Sequence, residues 1–297
     1  MTHPYETLKE LGKQLDADIF PSVKNGGIVT PSGTADSTFT WAKEITYERQ
    51  GKRRPATEPW PGTARRQGET IRSWAAGTAT SPFSTAIKTQ YGTELTAVCE
   101  AYPGTRVWQQ EEGLWLLTES TLLPGLHQKV IFLTGIPFSN IRTVRGWGFW
   151  VGGIMRHPTW IGPRHTNLPD GSICSFETSD GTWELGQSIV NLLDIYTLWA
   201  LRHLHLQIFH RWPGRQVAHY IYERLAEIIP TELCGCGSCI QYSDCCLESD
   251  LNNDKLLEVM DFYAIGGFNR RPPDVVTKFI QQPTIPPLLA DVLPWSI

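Results

Sequence analysis

Five of the chain's seven cysteines fall between Cys234 and Cys246, and no other stretch constrains the backbone so strongly. The segment runs Cys234-Gly-Cys236-Gly-Ser-Cys239-Ile-Gln-Tyr242-Ser-Asp-Cys245-Cys246, two close thiol pairs separated by a turn over residues 237–244. In a reducing compartment such a cluster holds a metal in preference to disulfides. Two pairs at this spacing can wrap one Zn²⁺ tetrahedrally, as structural sites with four protein ligands do. A closed site of that kind leaves no open position, so its expected role is structural or partner-binding rather than catalytic. The opening residues MTHPYETLKE lack the apolar run of a signal peptide, and no stretch approaches the ~18 uninterrupted apolar residues of a spanning helix. The expected location is the cytoplasm, with no membrane partner.

Over 297 residues, 41% hydrophobic content supplies a sizeable core and predicts one or two domains. The net charge of -4 argues against broad, charge-driven binding, so no nucleic-acid partner is expected. Residues 1–80 carry recurrent Gly, Pro, Ser and Thr and read as a loosely structured arm, with one short amphipathic helix over 5–15 where Leu8, Leu11 and Leu15 recur at helical spacing. Within the arm, Lys52, Arg53, Arg54, Arg65 and Arg66 interleave with Glu58 and Glu69, the pattern of a solvated basic loop.

From Ser81-Pro82 a helix is predicted, with Phe83, Ile87, Tyr91, Leu95 and Val98 on one face and an end near Tyr102-Pro103-Gly104. Apolar segments at 114–119, 129–134 and 148–155 then read as strands, and their short turn-rich connections predict an antiparallel meander. A loop over 157–182 leads to helices over 183–204 and 215–229, the second stopped by Pro230. Two further short helices, over 254–263 and 274–281, are expected to fold back onto the cysteine segment. The order predicts an α+β fold, a sheet backed by helices. Cys99, next to Val98 on the helix that starts at Ser81-Pro82, reads as a core residue. His203, His205, His210 and His219 read as core-edge or partly exposed histidines, because a zinc pair needs spacing of three or four.

In the long loop, Cys174 follows the Asp170-Gly171 turn and is preceded by His157 and His165. A thiol among polar neighbours is a nucleophile candidate. The alternative is a short buried strand over 173–176 with Cys174 as a small hydrophobe in it. His157-Pro158, Asp170-Gly171-Ser172-Ile173-Cys174, Trp183 and the Ile189, Leu192, Leu193 helix together resemble the catalytic region of ubiquitin-conjugating enzymes. The resemblance covers about residues 81–230 and implies that family's fold. Where the family has Asn after His-Pro, this chain has Thr159, and a longer stretch separates it from Cys174. Asn167 or His165 can supply the missing donor to a tetrahedral oxyanion or help deprotonate an amine; each can equally be an ordinary loop residue.

The resemblance implies acyl transfer. Cys174 would carry the C-terminal acyl group of a ubiquitin-like protein as a thioester and pass it to a target lysine. No Gly-rich phosphate loop follows a strand, so ATP-dependent adenylation would fall to a separate activating enzyme or not occur at all. The bacterial relatives implied are the stand-alone conjugating-enzyme-like proteins of cyclic-oligonucleotide anti-phage systems, which attach the C-terminus of a nucleotidyltransferase to a target. The alternative of a different class is a catalytically inactive conjugating-enzyme fold acting as an adaptor, with the zinc knuckle and the N-terminal arm binding partners. A cysteine hydrolase is weaker, because no separate base and orienting residue stand at the usual order.

The cysteine segment resembles the SEC-C motif. That likeness implies Cys234, Cys236, Cys245 and Cys246 as ligands of a structural Zn²⁺, Gly237-Ser238 as the tight turn and Tyr242 packed on the knuckle. Cys239 stands where the motif carries Gly. The expected organisation is an arm (1–80), a conjugating-enzyme-like domain (81–230), a zinc knuckle (231–250) and a helical tail (251–297).

Overall fold

A computed structural model describes residues 4–17, 21–24, 27–29, 82–123, 125–152, 155–175, 183–218, 220–253 and 255–296. Helix α1 (Pro4–Asp16) precedes a small hairpin, β1 (Ser22–Lys24) and β2 (Gly27–Val29). After α2 (Pro82–Ala101) the chain forms β3 (Arg106–Gln110), β4 (Gly113–Thr121), β5 (Lys129–Pro137), β6 (Arg145–Gly152) and β7 (Met155–Trp160). Helices α3 (Ile189–Phe209), α4 (Ile221–Glu227), α5 (Leu247–Asn252), α6 (Lys255–Ala264), α7 (Asp274–Gln281) and α8 (Leu289–Val292) complete it. The basic residues Lys52, Arg53, Arg54, Arg65 and Arg66, together with His219, lie outside the described residues.

Strands β3 to β7 form a five-stranded antiparallel meander in sequential order, as the short connections predict. Its central strands hide both faces. Leu114 and Leu116 of β4 join Val130 and Phe132 of β5 in one core with α1, α2 and α3. The alternate residues Trp115, Leu117, Leu133, Trp147 and Phe149 form a second core with α7 and α8. Double-sided cover explains the near-continuous apolar run of β4, where period-2 alternation is masked. Small residues let the helix approach: a Cβ at Gly146 would meet the buried Tyr196 ring at 2.4 Å, and one at Gly148 would meet Trp199 at 2.7 Å.

Several boundaries differ from the sequence reading. Strands β3 and β7 were not anticipated; both are edges, half exposed and polar, and Pro158 is tolerated there because an edge strand can spare a donor. The expected loop therefore begins after Trp160, and His157 lies on a strand. Helix α3 starts at Ile189 rather than near Trp183, whose indole N–H donates to the Ser188 carbonyl. The α2 carboxylate of Glu94 accepts the Ile189 N–H at 2.9 Å and caps α3 from outside. The expected 215–229 helix shrinks to α4, since Val217 pairs with Cys236 and the Ala218 N–H donates to the Gly235 carbonyl. Pairing with the knuckle overrides the helical pattern there. Cys99 is exposed rather than in the core.

The tail and the arm also carry more of the fold than their composition suggests. Val276, Phe279 and Ile280 place α7 on the second sheet face rather than on the cysteine segment. In α1, Leu8, Leu11 and Leu15 are buried, and Asp16 accepts from Arg211 at 2.7 Å and from the Gly214 N–H at 2.8 Å.

A polar island crosses the main core: the Tyr102 hydroxyl donates to Asp194 Oδ1 at 2.6 Å and lies 3.2 Å from Thr197 Oγ1. Burial raises the Asp194 carboxyl to about 6, against the Tyr102 bond, which lowers it. The unfolded chain ionises first as pH rises, so this group's contribution to stability is fully present below about pH 4 and is lost as pH rises through about 6. Asp194→Asn is expected to gain about 2 kcal/mol at pH 7 and almost nothing near pH 3.5 in urea titrations. Equal effects at the two pH values would refute this account.

Candidate functional site

After β7, residues 166–173 form a short hairpin held by side chains from several elements. Thr166 pairs with Ile173, and the Asn167 N–H donates to the Ser172 carbonyl at 2.6 Å. At its tip, Asp170 Oδ1 accepts from the Ser172 N–H at 2.9 Å and hydroxyl at 2.7 Å, and Arg145 reaches Oδ2 at 3.2 Å. Gly171 has φ +62, and a Cβ there would meet the Arg271 backbone at 2.8 Å, so the Asp170-Gly171 turn admits only glycine. Trp147 and Trp160 donate their indole N–H groups to the carbonyls of Asp170 and Gly171. Arg270 reaches the Thr166 carbonyl at 3.0 Å while paired with Glu223 and Glu227.

Cys174 ends this hairpin, half-buried, with its N–H donating to the His165 carbonyl at 3.0 Å. Ile173 ties it to the sheet through the Gly146 carbonyl at 2.7 Å. Asn167 stands beside it as a brace: Nδ2 donates to Ser172 Oγ at 3.1 Å and to the Ile173 carbonyl at 3.0 Å. Both hydrogens of that amide are thereby committed. His165 joins Cys174 by backbone only. Its φ of +50 turns the ring toward Gln216 Oε1, 3.3 Å away, and against the Trp212 indole, with centroids 4.2 Å apart. Burial first, then the Arg164 and His203 charges, hold its imidazole well below the usual range, so it is neutral at pH 7.

His157 is exposed on β7, two residues from Thr159, which pairs with Trp150 of β6. The Cys174 segment meets β6 at Gly146. At ~3.3 Å per residue this puts the His157 backbone on the order of 15 Å from that point. The structure thus brings Asn167 and the His165 backbone to Cys174 and leaves His157 apart.

Four thiols converge in the knuckle. The Sγ atoms of Cys234, Cys236, Cys245 and Cys246 all lie within 4.8 Å of one another, a set that can hold a metal ion. Cys245 Sγ is 3.6 Å from Cys236 Sγ and 3.7 Å from Cys246 Sγ. A small hairpin presents the first pair: the Cys234 N–H donates to the Ile240 carbonyl, Leu233 pairs with Gln241, and Gly237 turns at φ +82. The 3₁₀ turn Tyr242–Asp244 and the start of α5 present the second. Tyr242 is buried with Ile228 and Cys234, and its hydroxyl donates to Asp250, which also receives two bonds from Arg224. Cys239 is exposed and outside the set. Burial pushes the Cys234 thiol up to about 11. It opposes ionisation of Cys236 too, but hydrogen bonds from Ser238 and the neighbouring thiols outweigh it and bring that thiol to about 7.

The residues that sequence reasoning missed are charged and hidden. Arg164, Glu223, Glu232 and Arg270 are buried around the Cys174 hairpin, where charge in a sequence ordinarily signals surface. His203 and His205 are buried as well, with His203 packed between Trp199 and Trp212. Among the described residues no helix is long and apolar enough to cross a membrane. No protein-family model, curated protein or solved structure matches this chain.

Proposed function

We propose that Cys174 is the acceptor of a thioester in a ubiquitin-conjugating-type acyltransferase, and that the four-thiol knuckle is a structural zinc site of SEC-C type. The observation that carries the first reading is the seat of Cys174. A half-buried thiol ends a hairpin held by Asn167, Asp170, Arg145, Trp147, Trp160 and Arg270, on an antiparallel meander with helices on both faces. Rigid support of a reacting sulfur is what transfer between two large partners requires. In the proposed reaction the Cys174 thiolate attacks the donor acyl carbon, forming the S–C bond as the donor's leaving group departs. A lysine amine then attacks the thioester, forming the amide, releasing the thiolate and giving up its proton to water. The donor would be a ubiquitin-like protein or the C-terminus of a nucleotidyltransferase, charged by a separate activating enzyme, in cytoplasmic anti-phage defence.

Donor chemistry and spacing support zinc. Four sulfurs around Zn²⁺ at ~2.3 Å stand about 3.8 Å apart along each tetrahedral edge. The two Cys245 distances, 3.6 and 3.7 Å, fit that edge. Zinc bound there would cross-link the hairpin to α5.

One observation favours an adaptor without chemistry: both Asn167 amide hydrogens are committed and the His165 ring faces Gln216, so neither is free for an oxyanion. Cys174→Lys separates the readings, because a lysine at a thioester site traps the acyl group as a stable amide. Co-expressed with the products of its neighbouring genes, that variant is expected to gain the mass of one modifier, and Cys174→Ala none. An unmodified Cys174→Lys chain, with the neighbours confirmed present, would favour the adaptor.

A further inference from the structure

The Cys174 hairpin and the thiol knuckle come from separate stretches of chain, yet one buried polar network joins them. Arg164 precedes the hairpin, and Glu232 lies just before Cys234. The Arg164 guanidinium meets both Glu232 carboxylate oxygens, at 3.1 Å on Oε1 and in close contact on Oε2, and it also donates to Gln216 Oε1. Glu232 is 0% exposed and Arg164 6%. Glu232 further accepts the backbone N–H groups of Trp212 and Ile229. Gln216 donates to the Leu233 carbonyl at 2.6 Å, beside the first thiol, and its oxygen faces the His165 ring. The His165 carbonyl in turn accepts the Cys174 N–H.

We propose that a metal ion in the four-thiol knuckle sets the seat of Cys174, acting through Glu232, Arg164, Gln216 and His165. Those four are positioning residues; the coupling rests on the zinc reading, and on the thioester reading only for what Cys174 does once seated. The buried core of the knuckle is Ile228, Cys234 and Tyr242, too small to keep its shape without a cross-link. When the metal leaves, the segment carrying Glu232 loosens, and Arg164 remains as a buried cation without its counter-charge. A protein relieves that state by admitting water. Arg270 still holds Thr166 through Glu223 and Glu227 on α4, so the change is a local loosening of residues 163–175.

The test uses the full chain, zinc-loaded and chelator-stripped, and reads iodoacetamide labelling of Cys174 by peptide mass and hydrogen exchange over residues 163–175. Stripping is expected to speed both by about tenfold or more, and added zinc to restore them. Glu232→Gln is expected to keep the parent's zinc content yet label fast whether loaded or stripped. Labelling and exchange that stay within about twofold on stripping would overturn the coupling even with zinc bound, and a chain that takes up no zinc overturns its premise. If Glu232→Gln does not fold, the two measurements on the parent chain decide. A zinc-dependent labelling rate in a chain whose Cys174→Lys form traps nothing would sink the thioester reading and uphold the coupling.

Discussion

Cys245→Ser is expected to abolish stoichiometric zinc retention. Cys245 sits at the shared corner of the cluster, 3.6 Å from Cys236 Sγ and 3.7 Å from Cys246 Sγ. Structural thiolate sites bind zinc with about 10–16 kcal/mol, so losing one of four ligands removes roughly 3–4 kcal/mol, about two to three orders of magnitude in affinity. Serine does not restore it, because its hydroxyl stays protonated where a thiolate is needed. Chelator competition on parent and variant measures the difference, and a variant that holds zinc as tightly as the parent would refute the site. The parent's affinity should also depend on pH in a fixed direction. Burial pushes Cys234 up to about 11, so at pH 7 zinc must displace its proton. Affinity therefore rises with pH and falls on acidification, about tenfold per pH unit for each proton displaced.

Arg164→Ala is expected to destabilise the fold by about 3–5 kcal/mol, because it strands a carboxylate that has no solvent access. Glu232 would keep its backbone partners, the Trp212 and Ile229 N–H groups, but lose the Arg164 guanidinium. The Arg164 guanidinium also lies over the Trp212 ring, 5.4 Å from its centroid, so the truncation opens a gap beside that indole. Urea unfolding of parent and variant reads the loss. Combining Arg164→Met with Glu232→Gln, which removes both charges and keeps one of the two oxygens that accept the Trp212 and Ile229 N–H groups, should recover about half of it. A single variant within about 1 kcal/mol of the parent would show that water reaches Glu232 and that the pair is not sealed.

Much of the architecture was legible in the residues. The spacing of Leu8, Leu11 and Leu15 marked α1, and the span of α7 was read without error. Short turn-rich links marked the meander, and the paired cysteines marked a set of thiols that does converge. These features are local: helical and strand periodicity, turn chemistry and ligand spacing are imposed by the backbone over a few residues. Edge strands β3 and β7 escaped because RVWQQ and MRHPTW are short and largely polar, and the second carries a proline, so neither shows the apolar alternation of a half-buried strand. Residues 215–218 escaped because their pairing partner lies in the knuckle. The surroundings of Cys174 were the least legible. Whether His165 faced the sulfur or Gln216 depended on groups far along the chain, as did the pairing of Arg164 with Glu232 and of Arg270 with Glu223, and Asn167 was committed only once residues 166–173 closed into a hairpin. A charged residue reads as surface until folding supplies both its partner and its burial, and those come from packing between elements, which no short window of sequence contains.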